Sequence, residues 1–155
     1  MVTDMFGGLL KELGDSLGHL ELHPDQNNAC FLKLKDDLTI QIELERSGQF
    51  LLLASDLGSV PPGKYRENLF REALKANDLP HPLNGILCYS QKKNHLVLFE
   101  KISLTDLNGE KVAAEIKPFT EKAAIWASAL KRGDVPVVNQ AFTSDRLGGG
   151  MFGLR

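Results

Sequence analysis

Two pairs of side chains in this chain have types and spacings that could support chemistry. Cys88 and His95 flank the polar stretch SQKKN at 90–94, and a hairpin there would set a thiol across from an imidazole. That is the pairing of a nucleophile with its base, but neither an orienting third group nor an oxyanion hole accompanies it. His19 and His23 are four apart, the spacing at which a helix aligns two metal ligands. Pro24 and the lack of a third ligand argue against a site, so no metal is expected. Asp106-Leu107-Asn108-Gly109 has part of a calcium-loop pattern but lacks the further acidic ligands and the closing glutamate, and is read as a turn and helix cap. Gly148-Gly149-Gly150 has no strand before it and no helix after it, as a phosphate loop would need. No G-x-S-x-G, C-x-x-C or H-E-x-x-H occurs. No catalytic residue and no cofactor is therefore assigned, and the expectation is a binding protein rather than an enzyme.

The bulk properties agree. A chain of 155 residues with 43% hydrophobic and 25% charged residues suits one domain with a real core. A net charge of −2 and scattered Lys and Arg argue against nucleic acid, which calls for a basic face. No apolar run approaches the roughly 20 residues of a bilayer span, so no membrane insertion is expected. The start, MVTDMFGG, carries an acid where a signal peptide would be basic. Cys30 and Cys88 are expected as buried, reduced thiols, with a disulfide only if their strands face each other.

The periodicities place the elements. Residues 4–18 form a helix with a wide apolar stripe of Met5, Phe6, Leu9, Leu10, Leu13 and Leu17. Its four glycines weaken it by roughly 0.5–1 kcal/mol each, so packing must sustain it. A connector at 19–28 has room for a short strand at 20–22. Strands follow at 29–35, 38–45 and 50–54. The second alternates cleanly, with Leu38, Ile40, Ile42 and Leu44 on one face. The third, FLLLA, wants cover on both faces. Short turns between them imply an antiparallel meander. A second helix carries Tyr65, Leu69, Phe70, Ala73 and Leu74, and is stopped by Pro80 and Pro82. Strands at 86–89 and 95–99 form a hairpin, and the second should be central or at an interface. Residues 102–109 are a loop. The last helix, 110–131, has a narrow seam of Val112, Ile116, Phe119, Ala123, Trp126 and Leu130, and Pro118 should kink or divide it. Residues 1–132 thus form a single α+β domain with an antiparallel sheet and three helices in the order α-β-β-β-α-β-β-α. Residues 133–155 read as a flexible tail.

Within this frame, Leu74-Lys75-Ala76-Asn77, then Gly85-Ile86-Leu87-Cys88-Tyr89, then Leu96-Val97-Leu98-Phe99-Glu100 resemble the helix end and two strands of the class I type III secretion chaperones, the Tir chaperone family. The order of elements matches from about residue 4 to residue 132. One departure is the loop before Ile86, which carries His81-Pro82-Leu83 where family members often have small residues and glycines. The resemblance implies a cytoplasmic, homodimeric bacterial chaperone. Such a protein holds the N-terminal region of one or more secreted effectors soluble and partly unfolded, and aids delivery to the export apparatus, with the export ATPase as a further partner. The groove for the effector is expected along the first helix and early strands, at Phe6, Leu9, Leu10, Leu13, Phe31 and Leu32. The resemblance places the dimer interface on the second helix and later strands, at Tyr65, Leu69, Phe70, Leu87, Val97 and Phe99. The competing reading is a regulatory or adaptor domain of the same architecture, unrelated to secretion. A third, a cysteine-dependent enzyme, requires a reactive Cys88.

Overall fold

The structure, a computed structural model, describes residues 2–138. Helix α1 (Val2–Ser16) is followed by β1 (Ala29–Lys33), a 3-10 turn (Lys35–Asp37), β2 (Thr39–Leu44) and β3 (Phe50–Ser59). Then come α2 (Lys64–Asn77), the hairpin β4 (Ile86–Ser90) and β5 (His95–Ser103), and α3 (Gly109–Arg132). The five strands form one sheet in the order β1-β2-β3-β5-β4, antiparallel throughout. The expected α+β architecture and element order are those found.

Local chemistry explains the boundaries. α1 ends at Ser16, two residues before the expected end, because the chain turns at Gly18 with φ +99°, a value that glycine adopts without strain. Leu20 then donates its N–H to the Gly14 carbonyl at 2.9 Å, so residues 20–22 close the helix end instead of forming a strand. β3 and β5 both run past their expected ends. The polar residues SDLGS at 55–59 look like a loop, yet they pair with residues 95–98 of β5, and Phe50 pairs with Ser103. A bulge between Asp56 and Gly58 absorbs the irregularity. β5 therefore lies inside the sheet, as its two apolar faces suggested.

α3 is one undivided helix through Pro118. The proline removes one N–H donor, but the carbonyl it would have served, that of Ala114, belongs to an exposed residue and can bond water. Ile116 and Phe119, on either side, are buried and anchor both halves. At the start of α3, the Asn108 side chain accepts the Lys111 N–H at 2.9 Å, so 106–109 is the turn and cap expected.

The core lies between one face of the sheet and helices α1 and α3. Phe6, Leu9, Leu10 and Leu13 of α1 meet Val112, Ile116, Phe119, Ala123 and Trp126 of α3 over Ile40, Ile42, Leu51, Leu53, Leu96 and Leu98. Gly109 allows the two helices to touch. A Cβ there would overlap the backbone of Glu12 and Leu13, and the Gly109 N–H donates to the Glu12 carboxylate at 3.0 Å. α2 sits beside β4. The Asn77 amide accepts the Leu87 N–H and donates to the Leu87 carbonyl, both at 2.9 Å, as a neighbouring strand would. Past α3, the Asp134 carbonyl accepts the Tyr65 hydroxyl at 2.8 Å, and the Val138 N–H donates to Glu72 at 2.9 Å. The first residues of the expected tail thus run along α2, and its remainder lies outside the described residues.

Leu10 is 1% exposed, and Leu10→Ala is expected to cost about 2–5 kcal/mol. Leu10→Glu should abolish the cooperative thermal transition seen by circular dichroism; an unchanged melting curve would remove α1 from the core. Gly109→Ala should lower the melting temperature by several degrees, because the backbone contact with α1 leaves no room for a methyl group.

Candidate functional site: the open face of the sheet

With both α1 and α3 on one side, alternate residues of every strand point to the other. The register places them in rows that cross the sheet. Phe31 lies opposite Gln41, Gln41 opposite Ala54, Ala54 opposite Phe99, and Phe99 opposite Ile86. One neighbouring row carries Glu43, Leu52 and Lys101; the other carries Asp56, Val97 and Cys88. An antiparallel sheet with a solvated face ordinarily alternates to polar residues there. This face instead exposes Phe31 by 54% and Ile86 by 43%, with Leu52, Val97 and Phe99 half-buried beside them. An apolar patch of this kind, rimmed by charge, is the mark of an interaction surface.

The rim is ordered by specific contacts. The Lys101 ammonium lies 4.3 Å from the centre of the Phe50 ring and 2.9 Å from Glu45, which fixes the aromatic at one end. The Ser47 hydroxyl and then Lys101 hold the Glu45 carboxyl below its usual range. At the other end, His95 Nδ1 lies 2.7 and 2.8 Å from the two Asp56 oxygens, and Lys93 approaches Asp56 at 3.8 Å.

The two edges of the sheet differ. Asn77 occupies the outer backbone groups of β4 at Leu87. On β1, Leu34 donates its N–H to Leu38 at 2.7 Å, and the alternation places the Phe31 and Lys33 groups outward. The outward groups of Ala29 are taken by Asp25, whereas those of Phe31 and Lys33 have no partner among the described residues. The most exposed aromatic of the open face therefore stands on an unpaired strand edge.

The side chains expected to line a groove are not together. Phe6, Leu9, Leu10, Leu13 and Leu32 lie in the core under the helices, at 0 to 8% exposure, and Phe31 alone reaches the open face. The six expected at a dimer interface also divide. Leu69 and Leu87 are buried within the chain, while Val97 and Phe99 belong to the open face. Tyr65 and Phe70 are half-buried on α2, with the Phe70 ring 5.1 Å from Tyr89. Phe31 and Phe99, expected in different sites, thus share one row. Leu52, Ala54, Ile86 and Cys88 belong to the same surface and were missed as site residues. The apolar run at 50–54 and the alternation from Ile86 to Cys88 carried the signal.

The thiol–imidazole pair is not built. Cys88 lies opposite Val97, and the His95 ring is committed to Asp56. Partial desolvation by its neighbours pushes the Cys88 thiol up, away from the reactive thiolate. Cys88 is exposed, not buried as expected, and Cys30 is buried; they stand on β1 and β4, opposite edges of the sheet, which excludes a disulfide between them. Among the described residues, no acidic, cysteine and histidine side chains gather as a metal site, and no helix is long and apolar enough to cross a membrane.

The model of the Tir chaperone protein (CesT) family matches residues 8–127. No curated protein matches the sequence. Among solved structures, a chain of the HopA1–SchA chaperone–effector complex superposes with a TM-score of 0.66 at 18% identity, over 83% of this chain and 98% of that one. A chain of the ExsC–ExsE complex gives 0.63 at 18% identity, over 83% and 95%. A chain of the heterodimeric ExoU–SpcU complex of the Pseudomonas aeruginosa type III secretion system gives 0.60 at 16% identity, over 80% and 98%. At such identities the superpositions speak for the fold, and the family match spans most of the folded domain. The chain therefore belongs to the Tir chaperone protein (CesT) family.

Proposed function

We propose that this protein is a cytoplasmic chaperone of a bacterial type III secretion system. It binds the N-terminal region of one or more secreted effectors, keeps that region soluble and partly unfolded, and helps deliver it to the export apparatus, where the export ATPase is its further partner. The observation that carries the reading is the apolar open face running into the unpaired edge of β1 at Phe31. An extended chain can add to such an edge through its backbone while its apolar side chains lie on the face. That mode suits a client held unfolded, because backbone hydrogen bonds recognise extended conformation and not a particular fold.

The protein acts as a homodimer in this reading. α2 and the β4–β5 hairpin supply the interface, with Tyr65, Phe70, Val97 and Phe99 as its accessible members and Leu69 and Leu87 supporting them from the core. A twofold axis makes the two effector sites equivalent. Of the groove candidates, Phe31 makes direct contact with the effector. Phe6, Leu9, Leu10, Leu13 and Leu32 hold the sheet and α1 in place behind it.

The test is light scattering of the protein alone and co-expressed with N-terminal segments of candidate secreted proteins. A dimer that captures and solubilises one such segment is the expected result; a monomer that captures none defeats the proposal. Phe31→Glu should weaken capture about tenfold or more, equivalent to about 1.4 kcal/mol, while the melting temperature stays close to wild type. Undiminished capture by that variant would move the effector off β1. Phe99→Glu should shift the mass from dimer to monomer, and a persistent dimer would place the interface elsewhere.

A further inference from the structure

The open stretch of the β1 edge is short, and its two ends differ in charge. Phe31 and Lys33 turn both of their N–H groups and both of their carbonyls outward, with no partner among the described residues. Their side chains share the open face, about 6.8 Å apart along the strand. Lys33 is exposed and makes no ion pair among the described residues. Asp36 and Asp37, in the turn that follows, instead line a depression against Ala124, Ala127 and Ser128 of α3. At the other end of the stretch the neighbours are acidic. The Asp25 carboxylate accepts the Ala29 N–H at 3.0 Å, and the Asp25 N–H donates to the Ala29 carbonyl at 2.8 Å, so the outer edge is filled there. Glu43 stands opposite Ala29 on β2, and the Gln41 amide, opposite Phe31, donates to its carboxylate at 3.0 Å. Among the described residues, neither Asp25 nor Glu43 has a cation within ion-pairing distance. The edge therefore presents one unpaired cation, then one exposed aromatic ring, then two unpaired anions.

We propose that this edge selects its extended partner by charge order, taking a segment that reads acid-x-apolar-x-base from N- to C-terminus. The proposal rests on the chaperone reading above and names the chemistry of the segment bound at β1. The added strand runs antiparallel to β1, as every pair in the sheet does, antiparallel being the slightly more stable pairing per residue. Phe31 and Lys33 then each exchange two backbone hydrogen bonds with the residue opposite, whose side chain lies on the open face. Opposite Lys33, a carboxylate meets the unpaired ammonium. Two residues on, an apolar side chain packs against Phe31. Two residues further, Asp25 already fills the edge, so the segment lifts away, and a cationic side chain there meets Asp25 and Glu43. The opposite charge order would set base against base and acid against acid in the same backbone register, which is unfavourable. Backbone pairing and Phe31 supply the hold, and the charges choose direction and register.

The experiment is selection of short random peptides, displayed on phage, against the full chain and against its Phe31→Glu, Lys33→Glu and Glu43→Lys variants, each first shown to melt as the wild type does. Sequences recovered by the wild type and lost with Phe31→Glu should carry an acid two residues before an apolar residue and a base two residues after it. Lys33→Glu should exchange the acid for a base at the first position, and Glu43→Lys should weaken the preference for a base at the last. A recovered peptide and its copy with the two charges exchanged should differ in Kd for the wild type by about threefold or more, measured by fluorescence anisotropy. That difference should shrink at high salt. Sequences that depend on Phe31 but show no charge order, or place the base first, would overturn the charge order and leave the chaperone reading standing. The same sequences recovered by Phe31→Glu would remove the β1 edge as the binding site, and both readings of Phe31 would fall together. Recovery of nothing by the wild type would also overturn the charge order, and the co-expression capture test then decides separately whether the chaperone reading survives.

Discussion

The structure depends on two helices sharing one face of the sheet. α1 and α3 can lie side by side there because Gly109 has no side chain, and Glu12 reaches across to satisfy the first N–H of α3. Once both helices occupy that face, the apolar residues that alternate to the other side have nothing to cover them among the described residues. Burial of Phe6, Leu10 and Leu13 and exposure of Phe31 and Ile86 are therefore one fact seen from the two sides of the sheet.

The unequal edges sharpen this arrangement. Open strand edges invite pairing with other chains, and proteins usually blunt them. Here β4 is blunted by the Asn77 amide, which imitates a peptide group. β1 is only partly closed, since Asp25 serves Ala29 and leaves Phe31 and Lys33. An extended partner consequently meets one edge open at Phe31 and Lys33 and another that Asn77 occupies at Leu87. Around β4, a second set of contacts fixes the hairpin: Arg66 donates to the Val60 carbonyl at 2.6 Å and to Asn94 at 2.7 Å, and Tyr89 donates to the same Asn94 oxygen. α2, the hairpin turn and the end of β3 therefore hold together as one unit.

Polar groups inside the core are few, and each has a definable consequence. Ser55 is 1% exposed and satisfies its hydroxyl on the Thr39 carbonyl at 2.9 Å, which ties β3 to β2. Glu100 is not satisfied in the same way. Burial of that oxygen, and then the neighbouring Glu115 carboxyl, push the Glu100 carboxyl up from the usual carboxylate range.

The sequence by itself determined the kinds and order of the elements. Local periodicity sets whether a stretch is helix or strand, and the alternation in TIQIEL shows which residues share a face. The family was legible for the same reason, because its motifs are a helix end and two short strands in a set order. What alternation cannot state is which face the helices will cover. Phe6 and Phe31 are equally good apolar residues in sequence, and only the packing of α1 against α3 made one core and the other surface. The extensions of β3 and β5, the closure of β4 by Asn77 and the surroundings of Glu100 all rest on contacts between residues far apart in the chain. Such contacts leave no local period, so they existed only once the tertiary structure had brought their partners together.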